Sequence, residues 1–229
     1  MCTVVCDWQS GAPIRILALR DEFVSRDFDG PEAWWPDQPD VIGGRDRLAG
    51  GSWCVSDVAT GATALLVNRI ERMDGTPSRG LLPLAAVRAY ANGTDWTSAV
   101  DHTAMASFNL VLATPEGVLV WVWDATALEE RKLGPGQHMI TSSGIDADNP
   151  KTTGFAPRFA AEPWLEVVTS CEPSDEPGAL VVRHVHDGKV YATVFGQLIT
   201  SAPGSLDVAH SRTPWVPGSW TERRWPSGH

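Results

Sequence analysis

The sequence predicts an α+β fold of mostly antiparallel strands, with a helical pair inserted in the middle of the chain. Residues 3–8 and 14–20 are rich in β-forming side chains and flank a polar turn, a pattern typical of a hairpin. Residues 180–199 repeat that pattern around an Asp-Gly turn. Helical spacing of apolar side chains occurs in residues 81–91, which end just before a glycine.

The remaining elements follow from local composition, and neither a repeat nor a linker divides them. Residues 27–40 are rich in Trp and Pro without periodicity and predict an irregular segment. Residues 43–57 predict a Gly-rich loop that leads into a short strand, and residues 205–229 predict a surface wrap. Further strands are predicted at residues 63–68, 107–113, 118–123 and 138–142, and short helices at 94–105 and 163–169. We therefore expect one domain spanning residues 1–229.

The composition excludes several classes of function. The formal net charge of −10 argues against a nucleic-acid surface, which needs clustered Lys and Arg. No apolar run approaches the roughly 18 residues of a membrane-spanning helix, so no membrane span is expected. The N-terminus lacks a basic segment followed by a long apolar one, so we expect a cytoplasmic protein without a signal peptide. A small-molecule partner fits these properties, and the oligomeric state is left open.

Four cysteines occur, at positions 2, 6, 54 and 171, without the spacing of a zinc site. No metal site is therefore predicted. Cys2 and Cys6 lie on one predicted strand, where they would be about 13 Å apart, too far for a disulfide. We expect free thiols in a reducing compartment.

The pairing of the first hairpin places a thiol, a guanidinium and a carboxylate next to one another. If Trp8 and Ile14 close the turn, the numbers of paired residues add to 22, and Cys2 faces Arg20 with Asp21 beside it. Cross-strand partners share a face and lie about 5 Å apart at Cβ. Local geometry alone therefore predicts that these side chains meet.

That meeting suits an N-terminal nucleophile. Removal of Met1 would free the α-amine of Cys2, which titrates at roughly pH 8 and can act as a base on its own side chain. The guanidinium of Arg20 is expected to lower the thiol pKa, and Asp21 to orient the amine or the arginine. The alternative is structural: a small apolar residue that begins a strand, and a solvated turn.

Seven segments occur in one order along the chain: MCTVVC, ALRDEF, IGGRDRLAGGSW, ALLVNR, SRGLL, SFNLVLA and LGPGQHMITSS. They resemble the NRDE family, also called the transport and Golgi organisation protein 2 family. The Gly-Gly-Arg-Asp and Ala-Gly-Gly-Ser-Trp stretches are the most specific, and the resemblance covers most of residues 1–145.

The resemblance implies an αββα sandwich of mostly antiparallel sheets, like the N-terminal-nucleophile hydrolases. It also implies roles: Cys2 as nucleophile, Arg20 and Asp21 as its partners, and Asn68 as an oxyanion donor. Ser142 stands where the family has a second Asn, and it is a candidate for the substrate or oxyanion contact. Two further candidates for such contacts, Trp53 and Asn109, lie in the matching segments.

Departures from the family leave two functions open. Leu19 replaces the first residue of the Asn-Arg-Asp-Glu signature, and Val194 stands where an Arg is expected. The first function is a cysteine amidohydrolase acting on a non-peptide C–N amide bond. The second is a non-catalytic protein that binds and traffics haem or an acyl-CoA-like lipid, as the family association implies. The first function requires no cofactor, and haem is a possible ligand under the second. The eleven tryptophans favour an apolar cleft under both.

Overall fold

The computed structural model describes residues 2–226. Within them the strands form two sheets that stack face to face, and every neighbouring pair of strands is antiparallel. The first sheet has the order β11-β10-β1-β2-β13-β14-β15, with β12 beside β13. Its strands are β1 (Thr3–Trp8), β2 (Ile14–Phe23), β10 (Gly136–Thr141), β11 (Gly144–Ile145), β12 (Arg183–His186), β13 (Lys189–Ala202), β14 (Ser205–Ser211) and β15 (Thr221–Pro226).

The second sheet is a meander, because its strands pair in chain order. One edge strand pairs with the strand that contains the Gly-Gly-Arg-Asp sequence, and the other edge strand is rich in charged side chains. Its strands are β3 (Phe28–Glu32), β4 (Val41–Asp46), β5 (Cys54–Asp57), β6 (Ala62–Asn68), β7 (Phe108–Thr114), β8 (Gly117–Trp123) and β9 (Leu128–Leu133).

Alternate residues of the central strands enter different cores. On β1, Val4 and Cys6 face the core between the sheets, whereas Val5 faces outward. On β6, Leu65 enters the core between the sheets and Leu66 the opposite face. Both faces are buried, which explains why these strands are almost continuously apolar. Each such side chain stabilises the fold by about 1.5–3 kcal/mol when fully buried.

Helices cover the two outer faces. Helix α1 (Leu82–Asn92) packs on the second sheet, and Val87 and Leu110 belong to the same buried cluster. Helices α2 (Pro150–Ala161) and α3 (Trp164–Thr169) cover the first sheet around Leu17. The layers therefore run helix, sheet, sheet, helix, and the αββα prediction is confirmed.

The predicted hairpin register is also confirmed. Thr3 pairs with Leu19 and Val4 with Ala18, so the numbers add to 22 along the ladder. The predicted helix at residues 81–91 corresponds to α1, which ends at Gly93 in the left-handed conformation with φ of 63°.

Two predictions for the Gly- and Pro-rich region were wrong. The segment predicted to be irregular contains β3, which pairs with β4 through an irregular register between Asp29 and Glu32. The predicted Gly-rich loop begins as strand β4, since Gly43 and Gly44 lie in that strand and Gly43 pairs with Val55. These strands were missed because pairing across a bulge erases the alternation on which a strand prediction depends.

One helix prediction was also wrong, and one helix was not predicted. The second helix of the expected middle pair is only a 3-10 turn, Trp96–Ser98, capped by the Asp95 side chain. Helix α2 was not predicted, because it contains Gly154 and Pro157, both poor helix formers. Tertiary packing overrides that preference, since Phe159 is buried against the first sheet.

The C-terminal prediction needs correction as well. Residues 205–226 contain β14 and β15, which extend the first sheet, and residues 227–229 lie outside the described part. Strand β9 was missed too, because its charged side chains are mostly exposed at the sheet edge.

Candidate active site

A cavity of about 120 Å³ lies where the end of the first hairpin meets the second sheet. Five residues singled out from the sequence line it together: Cys2, Arg20, Asp21, Trp53 and Asn68. Cys2 directly precedes β1, and Arg20 and Asp21 lie on β2 of the same sheet. Trp53 directly precedes β5, and Asn68 ends β6, in the facing sheet. Sequence positions up to 66 apart therefore converge on one small space.

Cys2 lies immediately before β1 and is 9% exposed. Its Sγ lies 3.9 Å from the main-chain oxygen of Asp21, to which the thiol can donate a weak hydrogen bond. The hydroxyl of Tyr191 donates to the same oxygen at 2.9 Å. This carbonyl thus joins the candidate nucleophile to strands β2 and β13.

The electrostatics of Cys2 differ from the sequence-based expectation. Burial raises the pKa of the Cys2 thiol, the charge of Asp21 raises it further, and the guanidinium of Arg20 opposes them only weakly. The expected lowering by Arg20 exists, but burial outweighs it. The resting thiol is therefore protonated near neutral pH, and a nucleophilic role requires a base.

Asp21 is held by the neighbouring strand. The hydroxyl of Thr193 donates to its Oδ1 at 2.6 Å. The register between β2 and β13 shifts between Thr193 and Phe195, opposite Asp21 and Arg20, so the bulged residue is Val194. Bulges beside sites commonly re-aim a side chain. Here the shift places Phe195 in the core between the sheets while Thr193 reaches Asp21.

Arg20 is 5% exposed and has contacts with both sheets. Its Nη2 donates to Asp46 at 3.2 Å and lies 3.7 Å from Glu22. The guanidinium carbon lies 4.3 Å from the ring centroid of Trp53, a cation–π contact. Its Nη1 is buried and has no hydrogen-bond partner among residues 2–226.

Asp46 is the acceptor around which the basic side chains are arranged. Its Oδ2 accepts from Arg26 at 2.6 Å as well as from Arg20, and its Oδ1 accepts from the amides of Leu48 and Ala49. Burial alone would raise the pKa of Asp46, but the bonds from Arg26 and Ala49 hold it below its ordinary value. The family-like Gly-Gly-Arg-Asp segment thus supplies a counter-ion for Arg20, a role that sequence analysis missed.

Two glycines allow close packing in and around the cavity wall. A Cβ on Gly44 would lie 2.3 Å from ring atoms of Trp53, so only glycine permits the observed position of that ring. A Cβ on Gly51 would lie 2.4 Å from the carbonyl oxygen of Gly80, which accepts from the amide of Ser52 at 2.9 Å.

Ser142 and Asn109 are not on the cavity wall. Ser142 is buried just after β10, and continuing the β1–β10 register by two residues would set it opposite Cys2. Asn109 is fully buried; its amide donates to the Thr141 carbonyl at 3.1 Å and its oxygen accepts from Arg69. Asn109 therefore links the two sheets, whereas Asn68, at the end of β6, reaches the cavity.

Lys151 is a neighbour of the site that the sequence did not indicate. It lies in the first turn of α2, is 8% exposed, and donates to the Thr3 hydroxyl at 3.2 Å. Burial lowers the pKa of Lys151, and the charges of Asp21 and Cys2 oppose that effect. The predicted removal of Met1 concerns a residue outside the described part of the chain.

Residues 2–226 lack two kinds of feature. They contain no group of three or more His, Cys, Asp or Glu side chains placed to hold a metal ion. No helix in the same range is long and apolar enough to cross a membrane.

The family model described as Transport and Golgi organisation 2 matches residues 1–168, which include every residue that lines the cavity. No curated protein matches the chain. Among solved structures, a Caenorhabditis elegans N-acylethanolamine-hydrolyzing acid amidase ortholog is similar with a TM-score of 0.46 and 13% identity, over 100% of each chain.

Proposed function

The chain belongs to the Transport and Golgi organisation 2 family, and we propose that it is a cysteine amidohydrolase acting on a non-peptide C–N amide bond. One observation carries the proposal: Cys2, Arg20, Asp21 and Asn68 line a single cavity. A nucleophile, a cation, a carboxylate and an amide donor are the groups that acyl transfer needs. The four free cysteines fit a reducing compartment, and we place the protein in the cytoplasm.

The reaction requires a free α-amine on Cys2, produced by cleavage of the Met1–Cys2 bond. That amine takes the thiol proton as the sulfur attacks the amide carbonyl, so a C–S bond forms. The Asn68 amide donates to the developing oxyanion. The amine then returns the proton to the leaving nitrogen as the C–N bond breaks. Water, activated by the same amine, hydrolyses the thioester and releases the carboxylic acid.

The raised pKa of the thiol supports this use of a base. A protonated thiol is a poor nucleophile, so proton transfer must accompany the attack. Asp21 is well placed to hold the ammonium that forms, because Thr193 fixes its carboxylate and Cys2 is adjacent to its carbonyl. Arg20 anchors the cavity wall through Asp46 and Trp53.

Intact-mass spectrometry combined with alkylation tests the nucleophile. We expect a mass without Met1 and labelling of Cys2 by iodoacetamide at neutral pH. Cys6 and Cys54 are internal controls, because each is at most 1% exposed and burial raises each pKa to about 12. Retention of Met1, or labelling of Cys2 no faster than of Cys6, would rule out the hydrolase.

Activity is tested with a panel of small acyl amides. The wild-type chain should release the amine, and Cys2→Ala should abolish the release while Cys6→Ala retains it. A thioester intermediate adds the acyl mass to the N-terminal peptide after rapid acid quenching. If both variants hydrolyse equally, the activity belongs to another site or a contaminant.

A separate groove favours a second candidate, a carrier of an acyl chain. This groove, of about 400 Å³, is lined by apolar side chains that include Val182, Val190, Val194 and Trp215. Its volume falls within the usual range for small-molecule sites, whereas the cavity at Cys2 is too small for haem or a long chain.

Titration with a fluorescent fatty acid, and with haem followed by absorbance, tests the carrier. Val194→Glu should abolish binding, and Val185→Glu, on the exposed face of β12, is the matched control. Unchanged binding in Val194→Glu would exclude this groove, and no shifted Soret band at micromolar haem would exclude the haem version.

A further inference from the structure

Arg79 differs from the other arginines of the cavity. It begins the 3-10 turn Arg79–Leu81, is partly buried, and lines the same cavity as Cys2. Its Nη1 donates to the main-chain oxygen of Ser107 at 2.7 Å. Within the described chain it has no carboxylate at ion-pair distance, whereas Arg20 and Arg26 both bind Asp46.

The backbone that carries Arg79 is firmly anchored. The carbonyl of Gly80 accepts from the Ser52 amide, and Gly51 approaches that carbonyl too closely for any side chain. The Ser78 hydroxyl caps the turn by accepting from the Gly80 amide. The guanidinium therefore extends from a backbone segment that is held in place, and this reduces the entropy lost when the side chain binds a ligand.

The carboxylates of the cavity already have cations or hydrogen-bond donors of the protein beside them. Asp46 accepts from two arginines, and Glu22 lies within 3.8 Å of both. The Thr193 hydroxyl binds Asp21, whose charge also acts on Lys151. Among the residues that the structure describes, Arg79 is thus the cavity's cation without a fixed counter-ion. Burial lowers the pKa of Arg79, and charges on Cys2 and Glu22 oppose that effect.

A second observation also indicates an anionic ligand. Within residues 2–226 the buried Nη1 of Arg20 is a donor without an acceptor, and Arg20 lines the same cavity as Arg79. An unpaired buried donor costs about 1–3 kcal/mol or more unless a ligand supplies an acceptor. A carboxylate offers two oxygens, and guanidinium groups bind such oxygens with strong, directional hydrogen bonds.

We propose that Arg79, with the free Nη1 of Arg20, binds a carboxylate of the substrate. This inference rests on the proposed hydrolase and names its substrate class: a small amide that carries a carboxylate close to the scissile bond, as in an N-acyl amino acid. Arg79 is then the residue that determines specificity. The volume of about 120 Å³ encloses only the reacting end of such a molecule.

Two alkylating reagents of nearly equal size test the proposal. Iodoacetate carries a carboxylate and iodoacetamide a neutral amide, so the ratio of their rates at Cys2 reports anion recognition apart from thiol reactivity. The wild-type ratio should exceed that of a free cysteine peptide. Arg79→Gln should lower it roughly tenfold or more, because a hydrogen bond to a charged group is worth about 1.5–3 kcal/mol. Arg79→Lys should keep part of the preference.

The matched control is Arg88→Gln on α1, since Arg88 is a half-exposed arginine that pairs with Asp37 away from the cavity. It should leave the ratio unchanged. If Arg79→Gln slows both reagents equally, Arg79 stabilises the Cys2 thiolate and does not recognise a carboxylate. That result overturns the substrate assignment but leaves Cys2 as the proposed nucleophile.

A measurement independent of the thiol separates the two proposals. Cys2→Ser is titrated with N-acetylglycine and with N-acetylglycinamide, followed by NMR. We expect the carboxylate to bind roughly tenfold or more tightly, and Arg79→Gln to remove that preference. Equal binding of the two probes, or binding of neither, overturns the inference. Failure of Cys2 to react with either reagent, together with a preference for the carboxylate here, overturns the hydrolase alone.

Discussion

The sulfur of Cys2 lies 3.9 Å from the main-chain oxygen of Asp21, a residue 19 positions later in the chain. The contact exists because β1 and β2 pair in a register in which the numbers of partners add to 22. The side chains of a strand alternate between its two faces, so a register slip of one residue would turn Cys2 away from the cavity. The geometry of the candidate nucleophile is therefore a property of the hairpin.

Replacement of Arg20 should change the pH dependence of Cys2 alkylation. Burial raises the pKa of the thiol and the charge of Arg20 opposes this, so Arg20→Gln should raise the pKa further. The reactive thiolate then forms at higher pH, and the rate at neutral pH falls. Arg20→Lys keeps the charge and should move the profile less. Arg15→Gln, exposed on the same strand, is the control, and a profile displaced to lower pH in Arg20→Gln would contradict this account.

Asp46→Asn should destabilise the fold by roughly 3 kcal/mol at pH 7, because it removes the carboxylate that is hydrogen-bonded to the buried guanidinium of Arg20. The pKa of Asp46 is lowered in the folded chain, so its carboxylate contributes stability above the unfolded value of about 3.8. That contribution disappears as the pH falls through the folded pKa. Urea denaturation between pH 7 and pH 3 should show the variant and the wild type converging in acid.

The control for Asp46 is Asp74→Asn, whose side chain is 97% exposed and which should leave stability almost unchanged. If the difference between Asp46→Asn and the wild type is constant with pH, the carboxylate charge is not its cause.

Gly44→Ala should cost about 1–3 kcal/mol, because the new methyl would overlap the Trp53 ring and the ring has little room to move. The displaced indole would also lose its contact with Arg20. Gly30→Ala is the matched control in strand β3, since a Cβ there meets nothing within 4 Å. Equal urea midpoints for the two variants would refute the close-packing explanation.

The two asparagines at the ends of neighbouring strands should behave differently. Asn68→Ala should reduce kcat by roughly 100-fold or more with little change in stability, since Asn68 is partly exposed and lines the cavity. Asn109→Ala should lower the free energy of unfolding by about 1–3 kcal/mol, because it removes the bond to Thr141 across the sheets. Steady-state kinetics and urea denaturation measure the two effects, and a large loss of kcat in a still-folded Asn109→Ala would reverse the assignment.

The site residues that sequence analysis missed could not be predicted, and the physical reason is the same for each. Asp46 and Arg79 come from the second sheet and its following turn, and their distance from Cys2 depends on how the sheets stack. Neither periodicity nor spacing records such stacking, although both residues lie within family-like segments. Lys151 was still harder to predict, because it lies on a helix whose own residues disfavour helix formation.

The sequence by itself determined the local relationships in this protein: the first hairpin, its register, and thus the meeting of Cys2 with Arg20 and Asp21. Strand alternation and a short turn are enough to specify these, because they involve neighbours in the chain. Only the tertiary structure decided which asparagine reaches the cavity and that burial, rather than Arg20, controls the thiol pKa. Desolvation depends on groups brought together from distant segments, and no local pattern contains that information.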